Sequence, residues 1–197
     1  MSFLVISPLS RLEETAHLYK PSHMITLINA GVEVKRPITV HAQNHLYLNF
    51  NDINRPMSGL ISPQMAHIQR LIEHAKSWKQ STNDAVLDNE NLTDNALPDL
   101  SSSQEVLEKA PMLIHCQMGI SRSTAAAYII AAALNPKRHE DELAKALRKA
   151  APSATPNMGI IALADEFLNR QGRMVEAIEA IGRGQDAFEG TPFKLEI

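Results

Sequence analysis

The stretch MLIHCQMGISRSTAAAYIIAAAL, residues 112–134, predicts a strand, a tight turn and a helix in immediate succession. Residues 112–115 form an apolar run suited to a buried strand, and residues 124–134 are rich in Ala and Leu, both strong helix formers. The turn between them holds Cys116, Gly119, Ser121, Arg122 and Ser123. Such a turn is an anion site. The first N–H groups of the helix have no intrahelical partner, and the positive end of the helix dipole faces the turn. In that concavity the helix N-terminus, the loop amides and Arg122 all favour a Cys116 thiolate over the thiol. Five residues, Gln117, Met118, Gly119, Ile120 and Ser121, separate Cys116 from Arg122, enough to curl around one tetrahedral anion. The Arg122 guanidinium offers a planar fork of donors that matches a phosphate bidentately. Gly119 supplies backbone freedom where a Cβ would obstruct the turn. Ser123 places a hydroxyl where it can donate to the sulfur and help it leave. Together these residues read as a phosphate-binding loop built around a nucleophile.

HCQMGISRS, residues 115–123, resembles the HCxxGxxRS signature of the cysteine-based protein tyrosine phosphatase superfamily. Its Ser121-Arg122-Ser123 ending is most similar to compact, bacterial-type, dual-specificity-like members. The bland alternative is a buried cysteine beside an incidental arginine. His, Cys, Gly, Arg and Ser in register between a fitting strand and helix argue against it. The resemblance implies a phosphotyrosine-phosphatase-like α/β fold, with a mostly parallel sheet of about four or five strands, helices on both faces and the loop at the carboxyl end of its strand. It implies a phosphomonoester hydrolase that works through a cysteinyl-phosphate, with Cys116 as nucleophile and Arg122 on the phosphoryl oxygens. His115 would support the loop and the thiolate by hydrogen bonding. In such phosphatases the general acid is an aspartate on a loop that follows a strand and precedes a helix, and Asp52 holds the matching position. Aspartate after a strand is also ordinary turn chemistry, and an acid within residues 81–105 is the other candidate. No metal or organic cofactor is implied. The expected substrate is a phosphorylated protein or a small phosphomonoester.

Composition agrees with one enzyme-sized domain. The chain has 197 residues, 44% hydrophobic and 21% charged, enough for a substantial core. A formal net charge of −3 gives no electrostatic case for nucleic acid or an anionic membrane as partner. A single cysteine excludes an internal disulfide framework and fits a reducing, cytoplasmic compartment. The opening MSFLVISPLS has neither a basic segment nor a long apolar run, so no signal peptide is expected, and no apolar stretch is long enough to span a bilayer.

In chain order, residues 3–6 read as a first strand, with a helix starting near Ser7-Pro8 or Ser10 and Glu13 completing a capping box. Residues 23–28 form a second strand, and strand–helix–strand at this spacing suggests a parallel pair with a crossover helix. One or two strands fall within residues 37–50, the clearer at 46–50. After Asn51-Asp52-Ile53 and a Pro- and Gly-containing loop, Ser62-Pro63 starts a helix with Met65, Ile68, Ile72, Ala75 and Trp78 on one face. Residues 81–105 turn acidic and poor in apolar anchors, which reads as a flexible, solvated insertion. Residues 140–150 are an amphipathic helix with acids early and bases late. Asn157 caps the next helix and is read as structural. A last helix ends at Gly182, Gly182-Arg183-Gly184 is a helix stop, and residues 183–197 are an irregular tail. His67 and His74 share a helix face, but no HExxH or Cys pair completes a metal site.

Rival readings share parts of this pattern. Low-molecular-weight phosphatases and arsenate reductases carry a Cys-x5-Arg loop near the N-terminus, unlike Cys116. Phosphatases of phosphoinositides or RNA ends often have Lys in the loop. Here Gln117, Met118, Ile120 and Ser121 add no charge, which favours a phosphoprotein or simple aryl phosphate. A pseudophosphatase would bind phosphopeptides without turnover, but such proteins usually carry a damaged loop.

Overall fold

The computed structural model describes residues 2–90 and 110–197. Its elements are β1 (Phe3–Pro8), α1 (Leu12–Tyr19, after a 3-10 turn at Leu9–Arg11), β2 (His23–Ile28), β3 (His45–Asn49), α2 (Met65–Glu90) and β4 (Met112–Cys116). They continue with α3 (Arg122–Leu134), α4 (Glu140–Ala150), α5 (Met158–Phe167), α6 (Arg173–Ile181) and β5 (Phe193–Glu196). The strands make one five-stranded sheet in the order β3-β2-β4-β1-β5, parallel except for β5, which runs antiparallel to β1. This is the expected α/β architecture.

Burial explains the strand sequences. Every residue of β1, β2 and β4 is buried, as in parallel strands covered on both faces, so their sequences read as continuous apolar runs. Edge strand β3 buries only Leu46 and Leu48, in alternation. Helices α2–α6 cover one face, packing on Leu4, Ile6, Ile25, Leu27, Met112 and Ile114. On the other face, among the described residues, α1 and the segment around Val34 and Val40 pack on Phe3, Val5, Met24 and Leu113. Helix α3 is buried from Arg122 to Ala132, so its alanines are what let it lie close against both the sheet and the neighbouring helices.

Several details depart from the sequence expectation. β1 and β2 are parallel but not adjacent, because β4, far later in the chain, inserts between them. Ser10 forms no capping box, since its hydroxyl donates to Glu189 Oε2 at 2.7 Å instead. Helix α2 continues through Glu90, so the start of the acidic stretch is helical. The remainder of that stretch, including the alternative acid candidates beyond Glu90, lies outside the described residues. The tail is not irregular throughout: Phe193 and Leu195 face the core, and residues 193–196 close the sheet's edge. Gly172, with φ 88°, is the residue from which α6 begins. No described helix is long and apolar enough to cross a membrane.

Candidate active site

The carboxyl end of β4 delivers Cys116 into the turn before α3, as expected. Its sulfur is 2% exposed as a residue and lies 3.2 Å from both the Gly119 N–H, which donates to it, and Ser123 Oγ. Gly119 has φ 69°, and a Cβ there would sit 2.7 Å from the Pro8 nitrogen, so only glycine fits both the turn and the close approach to β1.

The loop carbonyls are engaged from outside. Leu9 N–H donates to the Gln117 carbonyl at 3.2 Å, Thr155 N–H to that of Ile120 at 2.9 Å, and Ala125 and Asn157 N–H to that of Ser121 at 3.0 and 3.4 Å. In a trans peptide the N–H of the following residue points the opposite way. The amides of Met118, Ser121 and Arg122 are thereby turned away from those outer partners, as an anion-binding nest requires.

Arg122 is 4% exposed. Its Nη1 donates to the Phe50 carbonyl at 2.8 Å and to Asn29 Oδ1 at 2.9 Å, which fixes the guanidinium plane. Nε is buried without a hydrogen-bond partner and lies 3.8 Å from Asp52 Oδ2. Asp52, on the loop after β3, thus reaches the site. Its Oδ1 accepts from Ser121 Oγ and from Asn157 Nδ2, each at 2.7 Å. Its loop is closed at the base, where Asn51 Oδ1 accepts from Ile61 N–H at 2.8 Å, and latched to α5 where Gly159 N–H donates to Asn54 Oδ1 at 3.2 Å.

Behind Cys116, His115 is wholly buried, and its Nε2 lies 2.8 Å from Thr26 Oγ1. The same hydroxyl is 2.8 Å from His45 Nε2. Thr26 has one proton, so it donates to one imidazole and accepts from the other. Burial pushes His115 down to about 4, with lesser repulsion from His45 and Arg122, and its Nδ1 is buried without a hydrogen-bond partner. Burial, then Arg36 and His74, does the same to His45. Both rings are neutral at pH 7.

The structure therefore brings Cys116, Arg122, Asp52, His115 and Ser123 together around residues 117–121. Sequence reading missed Asn29, Thr26 and His45, and took Asn157 for a cap only. Asn157 does cap α5, its Oδ1 accepting from Ile160 N–H at 3.0 Å, while its Nδ2 holds Asp52. Asn29 follows β2 at the same sheet edge as Cys116, where open α/β sheets gather ligand-binding residues; that rule was the signal available for it. Among the described residues no group of three His, Cys, Asp or Glu side chains could hold a metal ion. A groove of about 800 Å³ between α1 and residues 33–39 holds none of these site residues.

No protein-family model matches the chain, and a search of curated proteins finds no significant relative. Solved structures do match. The phosphatase PTP-2 of Cydia pomonella aligns with a TM-score of 0.55 at 14% identity, over 82% of this chain and 83% of that one. Human DUSP28 aligns at 0.55 and 11% identity, over 84% and 88% of the two chains. The human tyrosine phosphatase-like serine/threonine/tyrosine-interacting protein aligns at 0.55 and 14% identity, over 84% and 91%. The chain has the fold of these proteins.

Proposed function

We propose that the protein is a cysteine-dependent phosphomonoester hydrolase of the tyrosine or dual-specificity phosphatase type. The single observation that carries this is the convergence of Cys116 Sγ, the outward-tied loop, the fixed Arg122 fork and the Asp52 carboxyl at one sheet edge. Cys116 Sγ attacks phosphorus, the bond to the leaving oxygen breaks, and a cysteinyl-phosphate forms. Arg122 and the loop amides stabilise charge on the transferring oxygens. An arriving phosphoryl group competes with Asp52 for Arg122 Nε and frees the carboxyl to protonate the leaving oxygen. Asp52 then takes a proton from the attacking water, the S–P bond breaks, and Ser123 donates to the departing sulfur. The chemistry calls for no metal.

The uncharged loop side chains suit a phosphoprotein or aryl phosphate better than a highly charged inositol or nucleotide substrate. A lone catalytic thiol suits a reducing, cytoplasmic setting. The test is a rapid acid quench of the protein with an aryl phosphate, with the modified residue located by mass spectrometry. Phosphate on Cys116 is the expected result. Phosphate on another residue, or turnover with none trapped under burst conditions, would contradict the mechanism. Binding of a phosphopeptide without turnover would favour the binding-module reading instead.

A further inference from the structure

The Met118 carbonyl is held at 2.8 Å by the N–H of Gly190, from the far C-terminal segment. The same peptide unit carries the Gly119 N–H that donates to Cys116 Sγ at 3.2 Å. The next unit is gripped by shape. A Cβ on Gly190 would lie 2.8 Å from the Gly119 oxygen, and that unit carries the Ile120 N–H. The segment is itself fastened on both sides. Gly184 N–H donates to Thr155 Oγ at 3.1 Å, and Gln185 N–H to the Pro152 carbonyl at 2.9 Å. Ser10 Oγ donates to Glu189 at 2.7 Å, after which β5 pairs with β1, whose Pro8 lies against Gly119.

We propose that residues 184–190 form a clasp on the outer side of the phosphate loop, and that Gly190 is a positioning residue for the Gly119 and Ile120 N–H donors. The proposal rests on the phosphatase reading for its consequence, not for its geometry. A residue larger than glycine keeps the donor to Met118 but drives a methyl group into the Gly119 carbonyl. The loop must then rotate two of the amides that face sulfur and phosphate. Residues 184–190 thereby belong to the catalytic unit.

The test is Gly190→Ala in the full chain, labelled with nitrogen-15 and titrated with inorganic phosphate. Expected are shifted Gly119 and Ile120 amide resonances, phosphate binding weakened about tenfold, and kcat on an aryl phosphate falling more than KM rises, with little change in thermal midpoint. Should that variant fold poorly, Glu189→Ala removes the exposed bond to Ser10 and is expected to give the same pattern at about threefold. Phe188→Ala, 88% exposed in the same segment, is expected to change nothing. Unmoved Gly119 and Ile120 amides in folded Gly190→Ala would overturn the clasp whether or not phosphate binds. Moved amides with no phosphate binding even by the unsubstituted protein would uphold the clasp and overturn the phosphatase reading.

Discussion

Asp52 and Asn157 are where one side chain most directly governs another. Under the proposed mechanism Asp52→Asn removes the proton donor, while an amide oxygen can still accept from Ser121 and Asn157. We expect kcat to fall by about 10²–10⁴. An unchanged kcat would remove Asp52 from the reaction. Asn157 can be dissected further because its two ends do different things. Asn157→Asp keeps an acceptor for the Ile160 N–H, so the α5 cap and the thermal midpoint should survive, but it sets a second carboxylate against Asp52. Activity should drop by about tenfold or more. Asn157→Ala should lose both, at a cost of about 1 kcal/mol in stability for the cap. Equal activity losses in these variants explained wholly by unfolding would show Asn157 to be structural alone.

At the level of elements, the local patterns were legible where chemistry and period coincide. β2 and α4 fall where apolar runs and charge placement put them, and the turn from β4 into α3 that holds Cys116 was readable because its residue types have few other uses in that order. Topology was less legible. Nothing in β1, α1 and β2 reveals that β4 will insert between the two strands, because that choice is made by contacts distant in sequence. β5 was hidden for a similar reason: residues 193–196 are few, and only pairing with β1 gives them a strand's context. The α5–α6 junction depends on a residue the sequence did not flag. Asp165, 6% exposed, accepts from Gly172 N–H at 2.7 Å and Met174 N–H at 2.8 Å, so it satisfies the free amides at the start of α6. Asp165→Ala leaves them buried and unpaired and should cost about 1–3 kcal/mol in denaturant unfolding, with catalysis on an aryl phosphate retained. A loss of activity at full stability would mean that α6 communicates with the loop.

Across the whole molecule, histidines held wholly or partly out of water couple stability to pH. Burial pushes His115, His45 and His23 down to about 4 from a usual value near 6.5. Between those values the unfolded chain binds protons that the native state refuses, so native stability rises with pH there and is lost as pH falls from about 6.5 towards 4. For wholly buried His115 the slope approaches about 1.4 kcal/mol per pH unit. The urea midpoint should therefore drop between about pH 7 and about pH 5, and a flat midpoint would contradict neutral burial. The same scale unites the site, whose parts come from β2, β4, the start of α3, the loops after β2 and β3, the cap of α5 and the proposed C-terminal clasp, all meeting at one edge of the sheet. The most direct test of that assembly is hydrolysis of p-nitrophenyl phosphate by the purified full chain, in reductant and EDTA, beside Cys116→Ser. We predict turnover that survives chelation and is abolished in the variant; turnover retained by Cys116→Ser would contradict the account.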